Sequence, residues 1–95
     1  MTFEWDSEKN IANKKNHKIS FELAKYVFND PDRIEIFDAT HSLLDEDRWN
    51  VIGKVNEVLF VVYTERKESI RIISARLATA KEKEAYYGID NREIR

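Results

Sequence analysis

Apolar positions take helical spacing over residues 21–29, and from residue 33 they fall in short strand-like runs until a last helix begins after Thr79. Phe3–Trp5 is a short hydrophobic lead, readable as a strand. Asp6 then offers an N-cap and Glu8 an acid in the positive first turn, starting a mostly polar helix over 7–16 with Ile11 and Ala12 as its apolar contacts. Ser20 caps a second helix, 21–29, which gathers Phe21, Ala24, Val27 and Phe28 on one face. Asn29-Asp30-Pro31-Asp32 stops it, because proline disfavours helix in the residue before it.

Strands follow. RIEIFD at 33–38 alternates, with Ile34 and Ile36 on one side. Residues 39–47 read as a polar, acidic connection. Arg48–Val55 is the next strand, with Gly53 marking a bulge or a close backbone approach. Asn56-Glu57 turns the chain into Val58–Tyr63, and Lys67-Glu68 turns it again into Ser69–Ala75. Thr79 and Glu82 form a capping box for a last helix that ends at Gly88, and 89–95 are expected to fray. The expected fold is α+β: two N-terminal helices, an antiparallel meander of three to four strands and a C-terminal helix. The helices are expected on one sheet face, leaving the other for chemistry or a partner.

Ninety-five residues, 42% hydrophobic and 12% aromatic, suit a single packed domain spanning 1–95. With no cysteine there is no disulfide framework, thiolate nucleophile or cysteine zinc site. No apolar run approaches the ~20 residues needed to span a bilayer. The acidic, polar start is unlike a secretory signal, so a cytoplasmic protein without membrane contact is expected. The net charge of −2 is uneven: seven carboxylates against Arg33 put −6 on segment 30–47 and leave +4 elsewhere. That is either an ordinary solvated loop or an acidic strip on a mildly basic body.

With two glycines and no Walker or dinucleotide loop, any grip on phosphate must come from side chains. His17, after Lys14 and Lys15, is a candidate general base for a ribose 2′-hydroxyl, or simply a cation closing a helix C-terminus. His41 lies among Asp38, Asp45 and Asp47; a metal cluster is conceivable there, but a loop lacks preorganised ligand geometry and no metal is expected. Glu65 and Arg66 end one strand, and Arg71 and Arg76 lie on the next. On a regular strand the last two face opposite ways, so only a bulge or an early strand end unites them. Arg76 is then the candidate for phosphate, and Arg71 for the fold or a partner. The duller reading pairs Glu65 with a neighbouring arginine. Arg48-Trp49 adds a cation and an aromatic plane able to stack on a base, although tryptophan more often belongs to a core.

These motifs occur together in one family. FEWD at 3–6, Asn13, His17, Ser20-Phe21-Glu22, Asp30-Pro31, Arg48-Trp49, Ile52-Gly53, VVYTER at 61–66, IRIISAR at 70–76, Ala78-Thr79 and Glu82 resemble the BrnT-type toxins over about 85 of 95 residues. The resemblance implies the toxin half of a bacterial type II toxin–antitoxin pair. It also implies a RelE-like fold and RNA cleavage without metal or other cofactor, halting translation. The implied partner is a BrnA-like antitoxin whose ribbon-helix-helix part binds DNA, in a complex with two copies of each protein; the toxin itself is not expected to read DNA. His17, Glu65 and Arg76 are then the expected catalytic residues, with either of the first two as base. Lys15, Arg48, Trp49 and Arg66 are expected to bind RNA or its phosphate, and attack by the 2′-hydroxyl would leave a 2′,3′-cyclic phosphate. Two features depart from the family. Asn16-His17-Lys18 stands where it often has Lys-His-Gly, and the body is less basic than many RNA-cleaving toxins. The alternative is a non-catalytic interaction module, or a degenerate toxin that only binds its partner.

Overall fold

The structure, a computed structural model, describes residues 1–43 and 46–88, Leu43 by its backbone alone. The elements are β1 (Thr2–Glu4), α1 (Ser7–His17), α2 (Phe21–Ala24) running into a 3₁₀ segment (Lys25–Asn29), β2 (Ile34–Leu43), β3 (Glu46–Val55), β4 (Glu57–Arg66), β5 (Ser69–Leu77) and α3 (Ala80–Tyr87). They form one five-stranded sheet in the order β1-β5-β4-β3-β2. The α+β expectation holds, and β2 to β5 are the antiparallel meander. The strand count exceeds the three to four expected, because Phe3 pairs with Ile70 and adds β1 in parallel to the outer edge of β5. Among the described residues no helix is long and apolar enough to cross a membrane. The expected frayed tail 89–95, and Asp45 of the acidic stretch, lie outside the described residues.

Residues 39–43, expected in a connection, extend β2 instead. The ladder is irregular between Asp38 and Leu43. There the Ser42 hydroxyl donates to the Asp38 carbonyl at 2.6 Å and accepts the Arg48 N–H at 2.9 Å. One side-chain oxygen thus joins the two arms where the regular pattern lapses.

The main core lies on one face. Phe21, Ala24 and Val27 are fully buried against Val51, Val61, Tyr63, Ile72 and Ala75. Their spacing of three residues suits a 3₁₀ helix, in which every third side chain eclipses, and the second half of the expected helix takes that form. Val27 rests on Gly53: a Cβ there would meet Val27 Cβ at 3.0 Å and its carbonyl oxygen at 3.1 Å, so Gly53 is a close approach.

The packing of α1 corrects the reading by apolar contacts. Asp6 caps it as expected, accepting from the N–H groups of Glu8 and Lys9. Ile11, however, is 63% exposed, and the buried positions are Asn10 and Asn13. Asn10 accepts the Phe21 N–H at 2.8 Å and donates to Glu22 at 2.9 Å. Asn13 donates at 2.8 Å to the carbonyls of both Ile19 and Ala75. Polar side chains can be buried here because each meets backbone groups that would otherwise lack partners.

A second correction concerns α3, capped by Thr79 and Glu82 and closed by Gly88 at φ 67°. It does not join the other helices. The small core beneath it (Ile52, Val58 and Ala78, with Phe60 and Tyr86) draws it onto the opposite sheet face. Among the described residues it covers one end of that face and leaves the rest open.

Candidate functional site

The open face owes its chemistry to one irregularity in β5. Tyr63 pairs with Ile72 and Val62 with Ser74, so Ile73 is an extra residue and the strand is bulged. The bulge restarts the alternation: Ile70, Ile72 and Ala75 are buried, while Arg71, Ser74 and Arg76 share the side of Thr64, Val62 and Phe60. Arg71 and Arg76 therefore face the same way, contrary to regular-strand parity. Arg48, opposite Thr64, and Arg66, opposite Ser69, complete a row of four arginines on this face.

Each arginine has a carboxylate partner. Arg71 bonds Glu4 of β1 at 2.9 Å, Arg66 approaches Glu46 at 3.3 Å, and Arg48 lies 4.0 Å from the same glutamate. Arg76 makes the strongest pair, a two-pronged grip on Glu82 of α3 at 2.8 and 2.9 Å, with its guanidinium 4.1 Å from the centre of the Phe60 ring. The Arg76 hydrogen bonds hold the Glu82 carboxyl below the usual range, and the same contact raises the Arg76 value.

A hollow of about 500 Å³ opens between the β2–β3 hairpin and this end of β4 and β5. Asp38, His41, Arg48, Asn50, Phe60, Ser74 and Arg76 line it. Asp38 accepts the His41 backbone N–H at 3.1 Å and meets the ring Nδ1 at 2.9 Å. Desolvation works to raise the Asp38 pKa, but these bonds from His41 outweigh it and hold the carboxyl low. Arg48 Nε and Asn50 Oδ1 are buried in the wall and lack a hydrogen-bond partner among the described residues. An unmet donor and an unmet acceptor each cost about 1–3 kcal/mol, a cost that a polar ligand would relieve.

Of the expected site residues, the structure brings only Arg48 and Arg76 together in this hollow. Glu65 and Arg66 border a separate hollow of about 450 Å³ at the β4–β5 turn, beside Met1 and Ser69. Trp49 points to the covered face, packed on the main core with Phe37 at 5.3 Å between ring centroids. Lys15 and His17 are exposed on the last turn of α1, which docks on the outer edge of β5; neither lines the hollow. Asn50 is absent from the sequence-based candidates, and Asp38 and His41 enter there only as conceivable metal ligands in a loop. The RIEIFD pattern lapses at Phe37-Asp38, whereas β2 runs on through His41 to Leu43.

A sheet face with converging arginines around a hollow, and no glycine-rich phosphate loop, defines a small α+β domain suited to binding an anion through side chains. Residues 5–82 match the family described as ribonuclease toxin, BrnT, of type II toxin–antitoxin system, and the chain belongs to that family. The family implies an antitoxin partner. Among solved structures it is similar to the Brucella abortus ribonuclease toxin BrnT, determined at 1.1 Å resolution, with 21% identity and a TM-score of 0.58. That match covers 83% of this chain and 97% of the other, and at such identity it shows the fold alone. No curated protein matches the chain significantly.

Proposed function

We propose that this chain is a cytoplasmic endoribonuclease toxin that cleaves RNA without a metal, in the manner of RelE-like toxins, and so arrests translation. A BrnA-like antitoxin with a ribbon-helix-helix part would silence it in a complex holding two copies of each protein. The observation that carries this reading is the meeting of Arg48 and Arg76 in the open-face hollow of a BrnT-family chain. Attack of a ribose 2′-oxygen on the adjacent phosphorus builds negative charge on the non-bridging oxygens. Fixed guanidinium groups stabilise that charge most where water is excluded. The phosphate would displace Glu82 from Arg76, exchanging one two-pronged oxyanion contact for another. Arg48 Nε and Asn50 Oδ1 offer a donor and an acceptor to the nucleotide.

Induced expression in bacteria tests the reading. Growth should stop and RNA should fragment, both effects should vanish with Arg76→Ala at an unchanged circular dichroism spectrum, and cleavage should persist in EDTA. A second reading, a binding module without catalysis, draws on the carboxylate partner that each open-face arginine already has. Normal growth with intact RNA at high soluble expression would favour that module.

A further inference from the structure

We propose that His41 is the general base of the hollow and that Asp38 is its positioning residue. The inference rests on the ribonuclease reading above and supplies the proton acceptor that it lacks. The chain has two histidines, and His41 is the one that lines the hollow with Arg48 and Arg76. The carboxylates nearest the arginines, Glu46 and Glu82, are engaged in ion pairs. Glu65 borders the other hollow.

The geometry suits proton transfer. Asp38 holds His41 at two points, the backbone N–H at 3.1 Å and ring Nδ1 at 2.9 Å, fixing the imidazole relative to the strand. When Nδ1–H donates to the carboxylate, Nε2 keeps its lone pair for a substrate hydroxyl. The His41 side chain is 68% exposed at the rim, within reach of a ligand, whereas Asp38 is only 16% exposed. Asp38 also sits directly across the ladder from Arg48. Cross-strand pairing holds their Cα atoms about 4.5–5.5 Å apart, so one hairpin sets the spacing between base and phosphate ligand.

In the step proposed, His41 Nε2 takes the proton of a ribose 2′-hydroxyl, and the 2′-oxygen bonds to the neighbouring phosphorus. The bond from phosphorus to the 5′-oxygen breaks, leaving a 2′,3′-cyclic phosphate on one fragment. The departing 5′-oxygen takes a proton from water to become a hydroxyl, and the imidazolium returns its proton to solvent.

The test adds purified toxin to a bacterial translation extract carrying one messenger RNA and follows cleavage by primer extension. A general base contributes about 10²–10⁴-fold, so His41→Ala should slow cleavage by at least ~10²-fold, and added imidazole should restore part of the rate. His41→Gln, which keeps hydrogen-bonding capacity at the hairpin, should be as slow with an unchanged thermal melt. Asp38→Asn should cost about tenfold or more in rate. Its binding to a 2′-O-methyl RNA, read by fluorescence anisotropy, should be unchanged. A full rate in either His41 variant while Arg76→Ala is dead would overturn the base assignment and leave the ribonuclease reading standing. A slow His41→Ala that imidazole fails to rescue, beside an active His41→Gln, would make His41 structural and also overturn it. Intact messenger with the wild-type protein would remove both readings.

Discussion

Asn13 gives Ala75 both hydrogen bonds that a neighbouring strand would supply: its Nδ2 donates to the Ala75 carbonyl at 2.8 Å, and its Oδ1 accepts the Ala75 N–H at 3.2 Å. Strand β1 pairs with β5 from Ser69 to Arg71, and beyond that point the outer edge of β5 has no strand partner among the described residues. One buried amide therefore finishes the sheet edge and also ties α1 to the Ile19 carbonyl. Asn13→Ala should lower stability by about 3 kcal/mol in urea titration, because it orphans buried backbone groups. Asn13→Asp should not rescue it, since a carboxylate cannot donate to the two carbonyls. Ile11→Ala, on the exposed side of the same helix, should stay within about 0.5 kcal/mol.

Gly53 makes a different claim on the sequence. Alanine there would drive a Cβ to 3.0 Å from Val27 Cβ and 3.1 Å from its carbonyl oxygen. Gly53→Ala should cost about 1–3 kcal/mol by thermal or chemical denaturation. The double variant with Val27→Ala should not recover the loss, because both clashing atoms remain in alanine.

The Arg76–Glu82 pair predicts opposite effects on stability and RNA binding. Glutamine keeps the capping-box interaction of Glu82 but removes the charge that faces Arg76. Glu82→Gln should bind a 2′-O-methyl RNA more tightly at low salt, measured by fluorescence anisotropy, while melting at a lower temperature at neutral pH. The folded state holds the Glu82 pKa below its ordinary value, so the pair's stabilisation is present above the usual carboxylate range and is lost as pH falls. Acid melts of the variant should accordingly depend less on pH than those of the wild type.

Tyr86 acts at the other end of the pH scale. Its hydroxyl donates to Asp30, and that bond together with desolvation pushes its pKa from 10.0 up to about 12. A raised value means that the folded state holds the proton more tightly. The stabilisation is complete below about pH 10 and disappears as pH rises through about 12. Tyr86→Phe should lose about 1 kcal/mol at neutral pH and flatten the stability curve within that alkaline window, measured by denaturation at a series of pH values.

Much of the fold was legible because its signals are local. Asp6, Ser20 and Thr79 cap helices where expected, since a cap needs only its own side chain and the next turn's N–H groups. Asn56, between two strands, takes φ 64°, a conformation that asparagine tolerates. The site was less legible. Arg48 and Arg76 meet at one hollow while Glu65 borders another and His17 lines neither, a placement that residue type alone does not reveal. His41 reads as a loop residue beside possible metal ligands, because a stretch rich in acids and small polar residues resembles a loop until its partner strand is in view.

The sequence by itself determined the order of the helices and of most strands, the helix caps, and the Phe21, Ala24 and Val27 face of the main core. These follow from periodicities and short-range hydrogen bonds within a few residues of chain. Only the tertiary structure decided which side chains meet. Inserting Ile73 against β4 moves Arg76 onto the side of Arg71, and pairing Asp38 with Arg48 brings His41 to the same hollow. A bulge and a long hairpin are set by the partner strand, and side-chain alternation along a single strand carries no record of that partner.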